Sequence, residues 1–206
     1  MVPKVDYKKA LKTLYGPTAR AVVMVDVPAM NFLMIDGQGS PGDSEAYQQA
    51  LEALYPLAYT LKFMLKRSAS AVDYGVMPLE GLWWADDMDD FIAGRRERWK
   101  WTLMIMQPEF ISGDMVETAL AEVARKKNPP ALPGVRFERF EEGPAAQILH
   151  IGPYADEGPT IQAIHKCIAD AGHRLSGKHH EIYLGDPRRS APEKLKTVLR
   201  QPYAIA

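Results

Sequence analysis

The chain has 206 residues, 47% hydrophobic and 25% charged, with a formal net charge of −1. This length suits one large domain or two fused small modules, and the charge balance marks the chain for neither nucleic acid nor an anionic membrane surface. The single cysteine, Cys167, excludes an intramolecular disulfide and points to the cytoplasm; the N-terminus lacks a signal-peptide core, and no apolar run reaches the roughly 18 residues of a spanning helix.

Residues 1–20 read as an amphipathic lead-in that passes Gly16-Pro17. AVVMVDVP and AMNFLMIDGQG follow as extended segments separated by Pro28. The SPGDS loop offers Asp43 or Ser44 as the cap of a helix. That helix carries Tyr47, Leu51, Leu54, Ala58, Leu61 and Leu65 on one face, and Pro56 predicts a kink or break within it. Residues 73–87 are the next strand candidate, and 98–106 another. Asp114 and Glu117 form a capping box for a helix running to Lys126-Lys127, stopped by Asn128-Pro129-Pro130.

GVRFERFEEGPAAQILHIG reads as a two-strand hairpin turning at Glu142-Gly143-Pro144. Gly158-Pro159 opens a helix with an Ile161, Ile164 and Ile168 stripe, closed by Gly172. HHEIYLGDPRR then begins as a strand over 179–185, and the tail is a short turn and a last extended piece. Few helices and many hairpin-joined strands predict an α+β fold with largely antiparallel sheet.

The second half echoes the first. NFLMIDGQG, a helix and GLWWAD correspond to AQILHIG, a helix and EIYLGD. The two repeats cover about 21–110 and 130–206 of a single domain, 21–206, as duplicated βαββ units. The correspondence aligns Gly81 with Glu181 and Trp83 with Tyr183. If Ile182 and Leu184 face the helices, strand alternation puts Glu181 and Tyr183 on the opposite side, with Gly81 and Trp83.

A carboxylate among aromatic rings suits a flat, cationic or hydrogen-bond-donating ligand, held by cation–π contacts of about 0.5–2 kcal/mol. The competing reading leaves Glu181 on a solvated sheet face. Tyr154, at the entry to the later helix, is placed to reach the same ligand, and Met34 is a further candidate. Trp99 and Trp101 share one face of their strand and are either core or ligand-facing. His150 reads as a hydrogen-bonded structural group rather than a base or a ligand. His179 and His180 point apart and make a poor metal site. No phosphate loop, CxxC or serine elbow occurs, and no cofactor or metal is expected.

NFLMIDGQGSP, MPLEGLWW, WTLMIMQP, AAQILHIGPY and HHEIYLGDPRRSAPEKLKTVLRQPY together resemble the GyrI-like small-molecule-binding domains. The resemblance covers nearly all of the chain from about Val23. It implies two βαββ-type units with pseudo-twofold symmetry and a ligand cleft between them. Related domains sense drugs in multidrug-responsive regulators, where an acidic residue buried among aromatics receives lipophilic cations. By that resemblance Glu181 is the acidic residue, with Tyr183 and Trp83 at aromatic wall positions; Tyr154, Met34 and Trp101 are further candidates for ligand contact. Some stand-alone members are similar to cyclopropanoid cyclopropyl hydrolases, which add water to the strained ring of DNA-alkylating compounds. In that case Glu181 and Tyr183 are catalytic, Glu181 orienting or deprotonating the water.

Three functions therefore remain open: binding of lipophilic, often cationic, aromatic compounds; hydrolysis of electrophilic toxins; and regulation through a partner protein. The regulators carry a helix-turn-helix segment, whereas about twenty residues here precede the matching part and hold no recognition-helix pattern. Direct contact with nucleic acid is therefore not expected, nor is a membrane partner.

Overall fold

The computed structural model describes residues 4–41, 44–69, 71–87 and 94–205. Helices combine with antiparallel sheet in an α+β fold, and the chain sorts into two compact units. The first comprises Met1–Tyr7, Met30–Met77 and Trp84–Phe140; the second comprises Lys8–Ala29, Pro78–Trp83 and Glu141–Ala206.

In the first unit, strand β3 (Met30–Gln38) lies between β6 (Lys100–Gln107) and β7 (Arg136–Phe140), antiparallel to both. A short parallel pair, β1 (Lys4–Val5) and β4 (Asp73–Tyr74), stands apart. Helix α3 (Glu45–Arg67) packs on β3, on β6 and on helix α4 (Gly113–Lys126). Ser44 caps α3 by accepting a 3.2 Å hydrogen bond from the Tyr47 backbone N–H. Of the stripe foreseen for α3, Leu54, Ala58, Leu61 and Leu65 are buried and Tyr47 and Leu51 only partly so, while Ala50, Ala53 and Leu57 complete the buried face. Each buried leucine contributes about 1.5–3 kcal/mol by leaving water. Pro56 does not interrupt the helix.

Leu33, Ile35 and Gly37 on β3 oppose Ile105, Leu103 and Trp101 on β6. Trp101 fits here because Gly37 has no side chain: a Cβ on Gly37 would lie 2.1 Å from the indole. The indole also meets Tyr47 of α3 edge-on, with centroids 5.7 Å apart. Met34 belongs to the other row, opposite Met104.

Two local expectations are corrected. Helix α4 is capped by Ser112, which accepts from the Met115 N–H at 3.3 Å. Asp114 therefore lies in its first turn, and the expected Asp114–Glu117 box is not the cap. The hairpin is also absent: β7 pairs with β3, whereas β8 (Gly143–Ile151) pairs with β11 (Lys196–Ala204) and β2 (Val23–Val27). Alternation and a Glu-Gly-Pro turn specify two strands near each other in sequence, but not that they bond to each other.

In the second unit the strand order is β2, β8, β11, β10 (His179–Tyr183), β5 (Leu79–Trp84), all antiparallel. Strand β9 (Arg174–Leu175) pairs with the end of β11. Helix α5 (Gly158–Asp170) begins with Gly158-Pro159 and ends before Gly172, whose φ of +77° suits glycine. Its Ile164 and Ile168 pack on Ala146, Ile148 and Leu199. Leu199 stands directly opposite Glu181, so α5 covers the sheet face that carries Glu181. The assignment of the helices to the Ile182 face is thereby overturned; alternation separates two faces but does not tell which one a helix covers.

The face that carries Ile182 holds a buried ion network instead. His180 directs Nε2 at Glu80 Oε2, 3.0 Å away, and Nδ1 at Glu142 Oε1, 2.9 Å away. With a carboxylate at each ring nitrogen, the imidazole is held as the doubly protonated cation. Arg200 donates through Nη1 to Glu142 Oε2 at 2.9 Å, through Nε to Gln147 Oε1 at 2.9 Å and through Nη2 to the Leu14 carbonyl at 3.0 Å. Tyr15 Oη donates to Glu80 Oε1 at 2.7 Å, and Gln147 Nε2 donates to the Thr13 carbonyl at 2.7 Å. Helix α2 (Lys12–Tyr15) is thus tied to β5, β8 and β11, and the segment foreseen as a lead-in supplies buried core.

Burial alone would raise the Glu142 carboxyl, but His180 and Arg200 outweigh it and hold it at about 2. Burial likewise opposes the His180 cation, and Glu142 and Glu80 reverse that and raise it. For Glu142 the native value lies below that of the unfolded chain, about 4.3. Its contribution is complete above that value and disappears as pH falls towards 2. Urea denaturation should show stability declining between about pH 5 and 2. Arg200→Met, which leaves Glu142 buried beside one cation fewer, should lower unfolding free energy at neutral pH by about 3–5 kcal/mol.

Candidate functional site

Strand β10 presents His179, Glu181 and Tyr183 on the α5 face. Their cross-strand neighbours on β5 are Trp83, Gly81 and Leu79. On β11, Leu199 opposes Glu181 and Thr197 opposes Tyr183, and Thr197 in turn opposes His150 on β8. Glu181, Tyr183 and Trp83 therefore meet on one face, as alternation predicts.

A hydrogen-bonded relay joins them. Trp83 Nε1 donates to Tyr183 Oη at 3.1 Å, and Tyr183 Oη donates to Glu181 Oε2 at 2.7 Å. Gly81 makes the relay possible. A Cβ there would fall 2.7 Å from Trp83 Nε1, so only glycine lets the indole lie against the strand. The other Glu181 oxygen, Oε1, is 3.6 Å from His179 Nε2. The Glu181 side chain keeps 15% of its surface exposed, so it is neither on an open solvated face nor sealed. Tyr154, half exposed, closes on Tyr183 edge-on with centroids 5.8 Å apart. Four of the candidate residues, Glu181, Tyr183, Trp83 and Tyr154, thus form one cluster of the second unit.

Met34 and Trp101 are not part of this cluster. Both belong to the first unit and are buried there, Met34 opposite Met104 and Trp101 between Gly37 and Tyr47. His150 is buried and pairs its Nδ1 with Thr160 Oγ1 at 3.0 Å, the structural role foreseen for it. The first unit also carries an apolar groove of about 400 Å³ lined by Leu61, Met64, Leu65, Ser68, Ala69 and Met115. That lining offers one hydroxyl and no charge, so it has nothing with which to orient a charged ligand.

Glu157, immediately before α5, escaped the sequence reading. It occupies the N-cap position without capping through its side chain, and is 4% exposed. Burial first, and the negative charge of Glu181 second, push its carboxyl up to about 9; proximity to Thr197 lowers it in part. Glu157 Oε1 has no hydrogen-bond partner, and neither has Thr197 Oγ1 or His150 Nε2. A glutamate directly before Gly-Pro, where Ser, Thr, Asp or Asn is the usual cap, was the available signal. Among the described residues no group of three or more His, Cys, Asp or Glu is placed to hold a metal ion. No helix among them is long and apolar enough to cross a membrane.

The GyrI-like small-molecule-binding domain model matches residues 20–203, and the chain belongs to that family. Solved structures agree. An uncharacterised conserved protein from Listeria innocua is 41% identical over 97% of this chain and 100% of its own, with a TM-score of 0.88. A hydrolase from Listeria innocua is 39% identical over 97% and 100% of the two chains, with a TM-score of 0.85. The C-terminal domain of EcmrR shares the fold at 10% identity, covering 90% of this chain and 98% of its own, with a TM-score of 0.57. No protein with a curated description matches.

Glu157 makes stability depend on alkali. Its native value lies above that of the unfolded chain, so the unfolded state loses the proton first and stability falls as pH rises from about 4.5 to about 9. Glu157→Gln, an isostere of the protonated acid, should remove that decline. In denaturant titrations it should gain on the wild type by up to about 1.4 kcal/mol per pH unit across this range.

Proposed function

We propose that the chain binds lipophilic, often cationic, aromatic small molecules against the Trp83–Tyr183–Tyr154 wall, with Glu181 as the central acid. The observation that carries this reading is the relay from Trp83 through Tyr183 to Glu181. It fixes a partly buried carboxylate in one orientation beside three aromatic rings. Holding such a group out of water is costly unless it has a partner. Tyr183 supplies one hydrogen bond, and a cationic ring system stacked on the wall supplies the opposite charge together with cation–π attraction. Family membership supports small-molecule binding in general.

The decisive measurement is fluorescence titration with rhodamine 6G, a permanent monocation. Binding should be micromolar. Glu181→Gln should weaken it at least tenfold, about 1.4 kcal/mol; Tyr183→Phe, which frees Glu181 from its donor, should change it less. Unchanged affinity in Glu181→Gln would remove the carboxylate from the reading.

A second reading, hydrolysis, is favoured by the identity of about 40% to Listeria innocua hydrolases over nearly the whole chain. Here the substrate is a cyclopropane conjugated to a carbonyl. Glu181 takes a proton from water as its oxygen bonds to a ring carbon. The strained C–C bond breaks, and its electron pair moves to the carbonyl oxygen, to which Tyr183 donates once its hydroxyl turns away from the protonated Glu181. The proton on Glu181 then returns to that oxygen, so water is added overall. Mass spectrometry of a cyclopropane-bearing alkylator incubated with the protein should show a gain of one water, lost in Glu181→Gln. Turnover no faster than in buffer across several such compounds would leave binding alone.

A further inference from the structure

We propose that Glu157 is a second, latent acid of the same site, and that a cationic ligand docking at Glu181 drives the Glu157 proton out to solvent. The inference rests on the ligand reading above and deepens it, because it sets how much positive charge the site accepts.

Geometry comes first. Glu157 is almost fully buried at the start of α5, and one of its oxygens meets no donor. The sheet face that α5 covers carries Glu181, Tyr183 and His179 of β10, Thr197 of β11 and His150 of β8, whose Nδ1 pairs with Thr160 in the first turn of α5, and Tyr154 and Asp156 precede Glu157 in the turn before the helix. His165 of α5 sits close enough to His179 for the two to repel as cations, which, after burial, lowers the His165 imidazole. None of these groups is an arginine or lysine, and Thr197 Oγ1 and His150 Nε2 make no hydrogen bond of their own. Two carboxyl groups thus share a face with no strong base between them. In that setting one acid ionises and the other keeps its proton.

The division between the two follows from their surroundings. Glu181 accepts from Tyr183 and retains some contact with solvent, which supports its charge. Glu157 is more deeply buried and its Oε1 meets no donor, and burial first pushes its carboxyl up to about 9. With no ligand Glu157 therefore keeps its proton at neutral pH. A monocation placed against Glu181 cancels the second of the two causes that keep Glu157 protonated, and its positive charge close by offsets the first, burial. The N-terminal end of α5 also favours negative charge at Glu157. The proton is then released, and the occupied site gains a second anionic contact.

Thermodynamic linkage makes this measurable. Rhodamine 6G binding is followed by calorimetry between pH 7.5 and 8.5, above the ordinary histidine range, in two buffers of different ionisation enthalpy. The expected results are release of a substantial fraction of one proton per dye bound and an affinity that rises severalfold, at most tenfold, per pH unit. Glu157→Gln should bind the dye with an affinity that changes less than about twofold over this interval, releasing almost no proton. Carbon-13 NMR of glutamate-labelled wild-type protein supplies a second measurement, independent of how the variant folds: one carboxyl carbon should remain in the protonated position at pH 7 and shift on dye addition. Binding without proton release, equal release from Glu157→Gln, or a fully ionised set of glutamates at pH 7 would overturn the inference alone. Absence of dye binding at every pH would overturn it together with the ligand reading.

Discussion

The second unit is organised by the two carboxylates that hold His180. An imidazole with an acid at each nitrogen has one protonation state and one orientation, and Arg200 completes the arrangement by reaching Glu142, Gln147 and the Leu14 carbonyl. These groups come from four strands, a helix and the connection before β8, far apart in sequence. Breaking any one contact strands a buried charge. The result is a β10 strand whose position is fixed from one side of the sheet, so that the other side can carry groups whose hydrogen bonds are left incomplete.

That other side carries the proposed site. Glu181 keeps a small exposed surface and is oriented by Tyr183, which is itself oriented by Trp83. The three groups are rigid because the sheet backbone is rigid and because Gly81 lets the indole lie flat. Preorganisation of this kind reduces the ordering cost of binding and is equally what a water-activating base needs. The same arrangement therefore serves both proposed functions.

Much of this was legible in the sequence. Period-two alternation placed Glu181, Tyr183, Gly81 and Trp83 on one face, and glycine and proline signals located helix α5. The five motifs, read together, gave the family. What the sequence did not disclose was pairing and cover. GVRFERFEEGPAAQILHIG has the pattern of a hairpin, yet its strands bond elsewhere, because local pattern carries no information on remote partners. The side of the sheet covered by α5 was inverted for the same reason. Glu157 was missed because a glutamate before a helix is ordinarily solvated; only the fold buries it. Tyr15, Glu80, Glu142 and Arg200 look like surface residues in the sequence and become a network only when their strands assemble.

Adjacent residues of β10 serve opposite sides of the sheet: His180 belongs to the ionic lock and Glu181 to the face proposed for the ligand. Inserting or deleting a single residue within this strand would exchange the two, driving an acid into a place built for a cation and an imidazole into the aromatic wall. Chain length here is therefore frozen. Altered ligand preference in engineered or diverged versions is to be sought in side-chain replacements at 179, 181 and 183, and length variation in the 184–195 connection that follows.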